Sequence, residues 1–566
     1  MLVYFLFEFL LVLGVVVIVP RVSDWRPRTF RRLCKLLETR PWLATCLLAT
    51  FSIAVNARLS AVQPPAPGAH DEFSYLLAAD TFAQGRLTNP THPLWEHFES
   101  FHIIHQPTYS SKYPPGQGLM LALGQVLTGR PIVGSWIGVA LMVAAVSWML
   151  QGWLPVRWAL FGSLIACTNA GLYMFWGQSY WGGQLPLAGA ALALGGVPRL
   201  VKSQKIRDAV VMAIGVSILA VTRPYEGVIF TALVGIATLW QLYRAKVPLL
   251  ETMARVVLPA AGVLLVTLSG LLYYNKQVTG DFKTFPYMVH NQQYEQSPLL
   301  LWQNVKTYSK TYRHRAMQEF HEVRMKTMFE RQRDWADFWR IKLDSLGFIW
   351  VQFFSFGLLI PLLFVGRPKP LRKSWPLFAA IGVLFAGILI IPWLQSHYLA
   401  TLAPFLLLIL LEGMRRIRAG WQGRGRGVLA GLMITYLAFS AFRVTLYAAM
   451  ENNQWHQQRA RIARELEATG EEHLVVVRYQ QDHDPSNEWV YNAADIDGSP
   501  IVWAREMGRE HNRRLLEYYR DRRVWLLLAD AQPPKLIEHK RPAAKPFKPP
   551  ASQTAPPTDK KLVRAP

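Results

Sequence analysis

The sequence predicts a polytopic α-helical membrane protein of about twelve transmembrane helices with a small soluble α/β domain near its C-terminal end. Three observations predict it. Of the 566 residues 51% are hydrophobic, and apolar runs of about 20 residues recur, each long enough to cross a ~30 Å hydrocarbon core. Basic residues gather in short segments between those runs, the pattern of cytoplasmic loops. After residue 450 the apolar runs shorten and become β-branched or aromatic, as strands do. The formal charge of +24 would suggest a nucleic-acid partner in a soluble protein. Here the cations lie between spans and set orientation instead, so nucleic acid is set aside. Cys34, Cys46 and Cys167 lie in or beside hydrophobic segments, and no disulfide is expected.

Residues 2–20 are apolar apart from Glu8, with no basic residue before them and no small-residue cleavage site after. They are expected to be a span, not a cleaved signal peptide. Arg21, Arg26, Arg28, Arg31, Arg32, Lys35 and Arg40 follow and define an inner face. Residues 41–59 then cross outward and deliver a polar segment, 70–118, to the external side. Further spans are expected at 131–151, 158–176, 185–198, 208–221, 228–243, 256–274, 346–365, 375–394, 400–413 and 428–449. This arrangement keeps the basic clusters around 199–207, 244–255, 367–373 and 415–426 inside. Residues 117–129 would cover only ~20 Å as a helix and read as an interfacial or re-entrant piece. Residues 1–450 thus form a transmembrane unit with external loops at 60–118 and 275–345, the second helical around 311–340. HLVVVRY, IVWAR and VWLLLAD read as strands of an external domain at 451–535, and the Pro- and Lys-rich residues 536–566 as a disordered tail.

The 70–118 loop holds the chemistry-bearing residues. Asp71-Glu72, with Tyr75 one turn on, opens it. A carboxylate beside the membrane can act as general base towards a hydroxyl, and an acidic pair can equally favour the first turn of a helix. Lys112 stands before Tyr113, Pro114 and Pro115. The prolines stiffen the chain, and the cation can neutralise a phosphate leaving group or simply snorkel. His70, His92, His97, His102 and His105, with Glu96 and Glu99, could bind a divalent metal. Their spacing fits no familiar zinc pattern, so no metal ligands are assigned and a divalent cofactor stays possible. Arg223 and Glu226, in TRPYEG at an external span end, suit bidentate phosphate binding or an ion pair that locks the turn. His397 and Tyr398 sit likewise, before the 400–413 span, where the imidazole could donate to a lipid phosphate.

At Asp71-Glu72-x-x-Tyr75, at the helix ending Gly85-Arg86-Leu87, and at Lys112-Tyr113-Pro114-Pro115, the chain resembles the GT-C membrane glycosyltransferases. The protein O-mannosyltransferases and lipid A aminoarabinose transferases are the nearest parallels. The motif agreement covers roughly residues 60–130. The resemblance implies a GT-C fold, a polyprenyl-phosphate-linked sugar as donor, and inverting transfer on the external face of a bacterial inner membrane to a lipid, glycan or protein acceptor. Asp71 would be the base, with Glu72 supporting it. Lys112 would hold the donor phosphate, with Arg223 and His397 as further phosphate ligands. His70, Tyr75, Tyr113, Glu226 and Tyr398 are the remaining substrate-contact candidates. The His-rich loop and the C-terminal domain depart from the family pattern. A lipid or solute transporter is one alternative, although such proteins place ionisable residues inside spans. A metal-dependent phosphotransferase acting on lipid headgroups is the other.

Overall fold

The computed structural model describes residues 28–305, 311–353, 358–363, 368–420, 424–450 and 453–539. The expected 2–20 span, Arg21 and Arg26, and the tail from 540 lie outside the described residues. Six described helices are long and apolar enough to cross a membrane: Pro41–Val62, Ile132–Trp153, Gln184–Ser203, Pro224–Arg244, Leu249–Thr279 and Gly425–Ala449. Helices Ile206–Thr222, Pro368–Leu389 and Ala403–Gly420 cover three more of the expected spans. The 158–176 span is broken. Its helix, Val156–Cys167, stops after 12 residues and a π-helical turn follows at Leu172–Gly177. The reason is local: the Asn169 side chain accepts the Gly171 N–H at 2.9 Å, drawing that donor out of the helical ladder. The 346–365 span appears as helices Trp335–Phe353 and Leu359–Leu363, on either side of residues outside the description.

Contacts between helices separate two ends of the bundle. At one end Thr45 bonds Ser147 and Gln151, Arg157 pairs with Glu38 at 2.8 Å and Arg199 donates to the Trp148 carbonyl. At the other, Ser60 donates to Gln178 and Ser135 to the Ser179 carbonyl. The 70–118 loop belongs to this second end, opposite Arg157 and the basic cluster around 199. Helix Pro115–Thr128 has both its ends there too. Gly116 abuts Thr222 and Gly124 abuts Gly134, approaches that a side chain at either glycine would block. Leu119, Leu123, Val126 and Leu127 remain exposed along its outer stripe. A short helix lying across span ends with one apolar face outward is an interfacial helix.

Beyond residue 453, four strands form one sheet in the order β4-β3-β5-β6. β3 (His473–Arg478) is central and parallel to β4 (Ile501–Arg505) and β5 (Arg523–Leu528), while β6 (Lys535–Glu538) is antiparallel to β5. The edge strand β6 occupies residues read from sequence as the start of the tail. Side chains alternate between the two faces, as strand geometry requires. Val475, Val477, Trp503 and Leu527 pack with Leu466 of helix Trp455–Glu467. Leu474, Val476, Val502 and Val524 pack with Leu515 of helix Arg509–Tyr518, and with Phe73, Leu77, Phe98 and Ile103 of the 70–118 loop. The loop and the sheet therefore share one core. The 311–340 helix is really two, 315–331 and Trp335–Phe353, parted at Gln332–Asp334.

Candidate active site

Helix His70–Ala83 carries the acidic pair at its positive end, where the helix dipole favours an anion. The two carboxylates point to different partners. Glu72 is 7% exposed, and accepts the backbone N–H groups of Gly68 and Ala69 at 2.8 and 3.1 Å and that of Tyr180 at 3.0 Å. It closes the helix start and pins the aromatic turn to it, half of a capping box. A cavity of about 300 Å³ opens beside it, against Trp181, Tyr447 and His456. Asp71 accepts instead from the Tyr113 hydroxyl, with His102 Nε2 3.7 Å from the same oxygen. The capping alternative thus fits Glu72, while the side chain of Asp71 also reaches across to Tyr113.

Ser74, one turn along, arranges these partners. Its hydroxyl donates to the His102 carbonyl at 2.6 Å and lies 2.7 Å from the Ser111 hydroxyl, while Ser111 Oγ accepts the Tyr113 N–H at 3.1 Å. Strands β1 (Ile103–Ile104) and β2 (Ser110–Ser111) bring the two ends of the loop together. His102 has φ 61°, a left-handed conformation that strains a residue with a Cβ and is held where the surroundings over-determine it.

Lys112 is 4% exposed, with its ammonium 5.3 Å from the ring centres of Tyr113 and Tyr287. Tyr75 stacks on Tyr113 at 4.6 Å. Arg223 lies over the Tyr398 ring at 4.6 Å. The Glu226 Oε1 is buried with no hydrogen-bond partner. Burial pushes the Asp71 carboxyl above its usual range, against the pull of Lys112 and Arg223. Burial equally pushes the Lys112 ammonium down, against Glu295 and Asp71. His102 is driven well below its ordinary value by burial and by Lys112. The cluster thus holds a carboxylate and two cations in one desolvated place, where each charge acts strongly on the others.

Asp71, Tyr75, Lys112, Tyr113, Arg223 and Tyr398 come together. His397 sits at the edge, its ring 4.8 Å from Tyr398 and 5.5 Å from Trp181. His70 stands at the other edge, its ring 5.7 Å from that of His102; its Nδ1 lies 2.7 Å from the Tyr491 hydroxyl and its ring packs on Phe101, binding the helix to the C-terminal domain. Two further loop histidines, His92 and His97, serve that junction, while His105 packs within the loop. His92 Nε2 is 3.1 Å from Asp497, His97 Nδ1 donates to the Arg505 carbonyl at 2.9 Å, and His105 stacks on Tyr109. Among the described residues no group of three or more His, Cys, Asp or Glu is placed to hold a metal ion. The sequence reading missed Tyr287, His290 and Glu295, which close the cluster from the 275–345 segment. The ring of His290 is 5.8 Å from that of His102. The only signal was the aromatic and basic character of that segment, too diffuse to single out residues.

No protein-family model matches the chain, and no curated protein is similar to it in sequence. Among solved structures, ArnT from Cupriavidus metallidurans bound to undecaprenyl phosphate is similar at TM-score 0.51 and 11% identity, over 86% of this chain and 93% of that one. The apo Archaeoglobus fulgidus oligosaccharyltransferase gives TM-score 0.44 and 9% identity over 86% of this chain and 69% of that one. At such identity the likeness to ArnT is one of fold. The chain is a membrane protein with the GT-C fold that the loop motifs implied.

Proposed function

We propose that the chain is an inverting glycosyltransferase that takes a sugar from a polyprenyl-phosphate donor at the outer face of a bacterial inner membrane. The observation that carries the reading is the grouping of Asp71 with Lys112 and Arg223 at the loop end of the bundle. An acceptor hydroxyl attacks the anomeric carbon while the bond from that carbon to the phosphate oxygen breaks. Asp71 takes the hydroxyl proton, and its raised pKa makes it a stronger base than an ordinary aspartate. Lys112 and Arg223 receive the charge that develops on the departing phosphate, with His397 as a further donor. Tyr113 holds Asp71 in place, and Glu72 supports it by fixing the helix start. The ArnT of the same fold, solved with undecaprenyl phosphate, supports a polyprenyl phosphate as the donor's carrier. Neither alternative has an observation in its favour: the charged cluster lies at span ends, not within a transport path, and no metal-ligand set is formed by the described residues.

The test is transfer by purified protein from a panel of labelled polyprenyl-phosphate sugars to membrane extract. Label should move to an acceptor from at least one donor. Movement of an intact labelled donor across proteoliposomes, with no sugar released, would contradict the reading.

A further inference from the structure

A cavity of about 830 Å³ lies away from Asp71, between residues 313–324 and the C-terminal sheet. Its floor is the carboxyl ends of β3 and β4, where open parallel sheets bind ligands. The chain leaves β3 for β4 on one side and returns to β5 on the other, so β3 borders a topological switch point. There Asp530, after β5, faces His483, after β3: Asp530 Oδ1 is 2.6 Å from His483 Nδ1 and its Oδ2 accepts the Gln480 N–H at 2.8 Å. A carboxylate only accepts, so Nδ1 carries a proton, and Nε2 is left to accept or to donate. The His483 side chain is 3% exposed and lines the cavity, and its Nε2 is buried with no hydrogen-bond partner. An unmet buried polar atom is costly, and a ligand hydroxyl, which both donates and accepts, would satisfy it.

Four arginine and four acidic side chains line the cavity, so they cancel in formal charge. Net anions and net cations are both poorly matched by such a wall. A ligand whose groups each donate and accept is well matched, and hydroxyls do both. The volume lies within the ~300–1,000 Å³ of small-molecule sites. We infer that this cavity is a second binding site, for a neutral oligosaccharide, held by His483 and the arginines of residues 313–324. Its naming as the acceptor's glycan rests on the glycosyltransferase reading; the binding itself does not. It lies one layer of side chains from the Asp71 cluster: Phe320, next to wall residue Glu319, packs against His102 at 5.8 Å between ring centres, and His102 Nε2 is 3.7 Å from Asp71. That position would hold a glycan acceptor by its distal sugars.

Purified full-length protein in lipid nanodiscs is titrated with chitotriose, maltotriose and mannotriose, with inorganic phosphate and tri-galacturonic acid as charged competitors, and binding is read by saturation-transfer NMR. At least one trisaccharide should bind and resist both competitors. His483→Gln should weaken it about tenfold, as expected for losing one good hydrogen bond. Arg315→Ala, at an exposed position where folding is not at stake, should weaken it similarly, and Asp71→Asn should leave it unchanged. Binding of no trisaccharide, displacement by phosphate or tri-galacturonic acid, or wild-type affinity in both cavity variants would overturn the site. Sugar transfer by a protein that binds no trisaccharide defeats this inference alone; trisaccharide binding by a protein that transfers from no donor defeats only the transferase reading.

Discussion

Asp71 and Lys112 are displaced in opposite directions by the same burial, and the reaction needs the first ionised and the second protonated. The rate should therefore rise with pH through an Asp71 pKa above the ~3.9 of a free aspartate, and fall with pH through a Lys112 pKa below the ~10.4 of a free lysine. Lys112→Arg should keep a substantial part of the transfer rate and lose the alkaline limb, because a guanidinium does not deprotonate in that range. Lys112→Ala should lose far more of it. An alkaline limb unchanged in the arginine variant would assign it to another group. Glu72 behaves differently, since its oxygens face three backbone donors. Glu72→Gln turns an N–H donor towards at least one of them and should cost roughly 1–3 kcal/mol of stability, read as a lower unfolding temperature of the detergent-solubilised protein. An unchanged midpoint would show that the helix start does not depend on this carboxylate.

Helices and strands differ in how far the sequence reveals them. Spans such as 131–151 and 256–274 are legible because apolar length alone defines them. The break after Cys167 is not, because Ala170 and Leu172 continue the apolar run while the Asn169 side chain redirects the backbone. β6 is hidden for a related reason: Lys535–Glu538 is short, flanked by prolines, and stable only as a partner of β5. The loop's histidines fit no metal pattern in sequence, and their pairing with the C-terminal domain was not legible either: His70, His92 and His97 fasten the loop to it. In the candidate site, Asp71 and Lys112 stood out through a family motif, whereas Tyr287 and Glu295 depend on how a distant segment folds back. The same junction contains Glu488, fully buried, taking hydrogen bonds from Arg505 and Tyr479. Breaking a buried pair leaves the other charge uncompensated, so Glu488→Ala should cost about 3–5 kcal/mol. Limited proteolysis should then release the C-terminal sheet sooner; wild-type resistance would mean Arg505 finds another partner.

At the scale of the whole molecule, the loop and the sheet share a core at one end of the bundle, and Arg157 and the basic cluster around 199 lie at the other. From the positive-inside rule we propose that the Asp71 cluster and the sheet face outside. In a cysteine-free background, Gln84→Cys and Ser486→Cys, both at exposed positions, should react with an impermeant thiol reagent in intact cells. Arg207→Cys should react only after permeabilisation, and the reverse pattern would invert the topology. The central claim, that the Asp71 carboxylate takes the acceptor's proton, is met most directly by Asp71→Asn assayed for sugar transfer with donor binding measured alongside. The amide keeps the size and can still accept from Tyr113, but it has no basicity. Donor binding should persist while transfer falls by about 10²–10⁴. Asn serves a helix start about as well as Asp, so a purely structural Asp71 predicts an active variant, and wild-type transfer by Asp71→Asn would contradict the account.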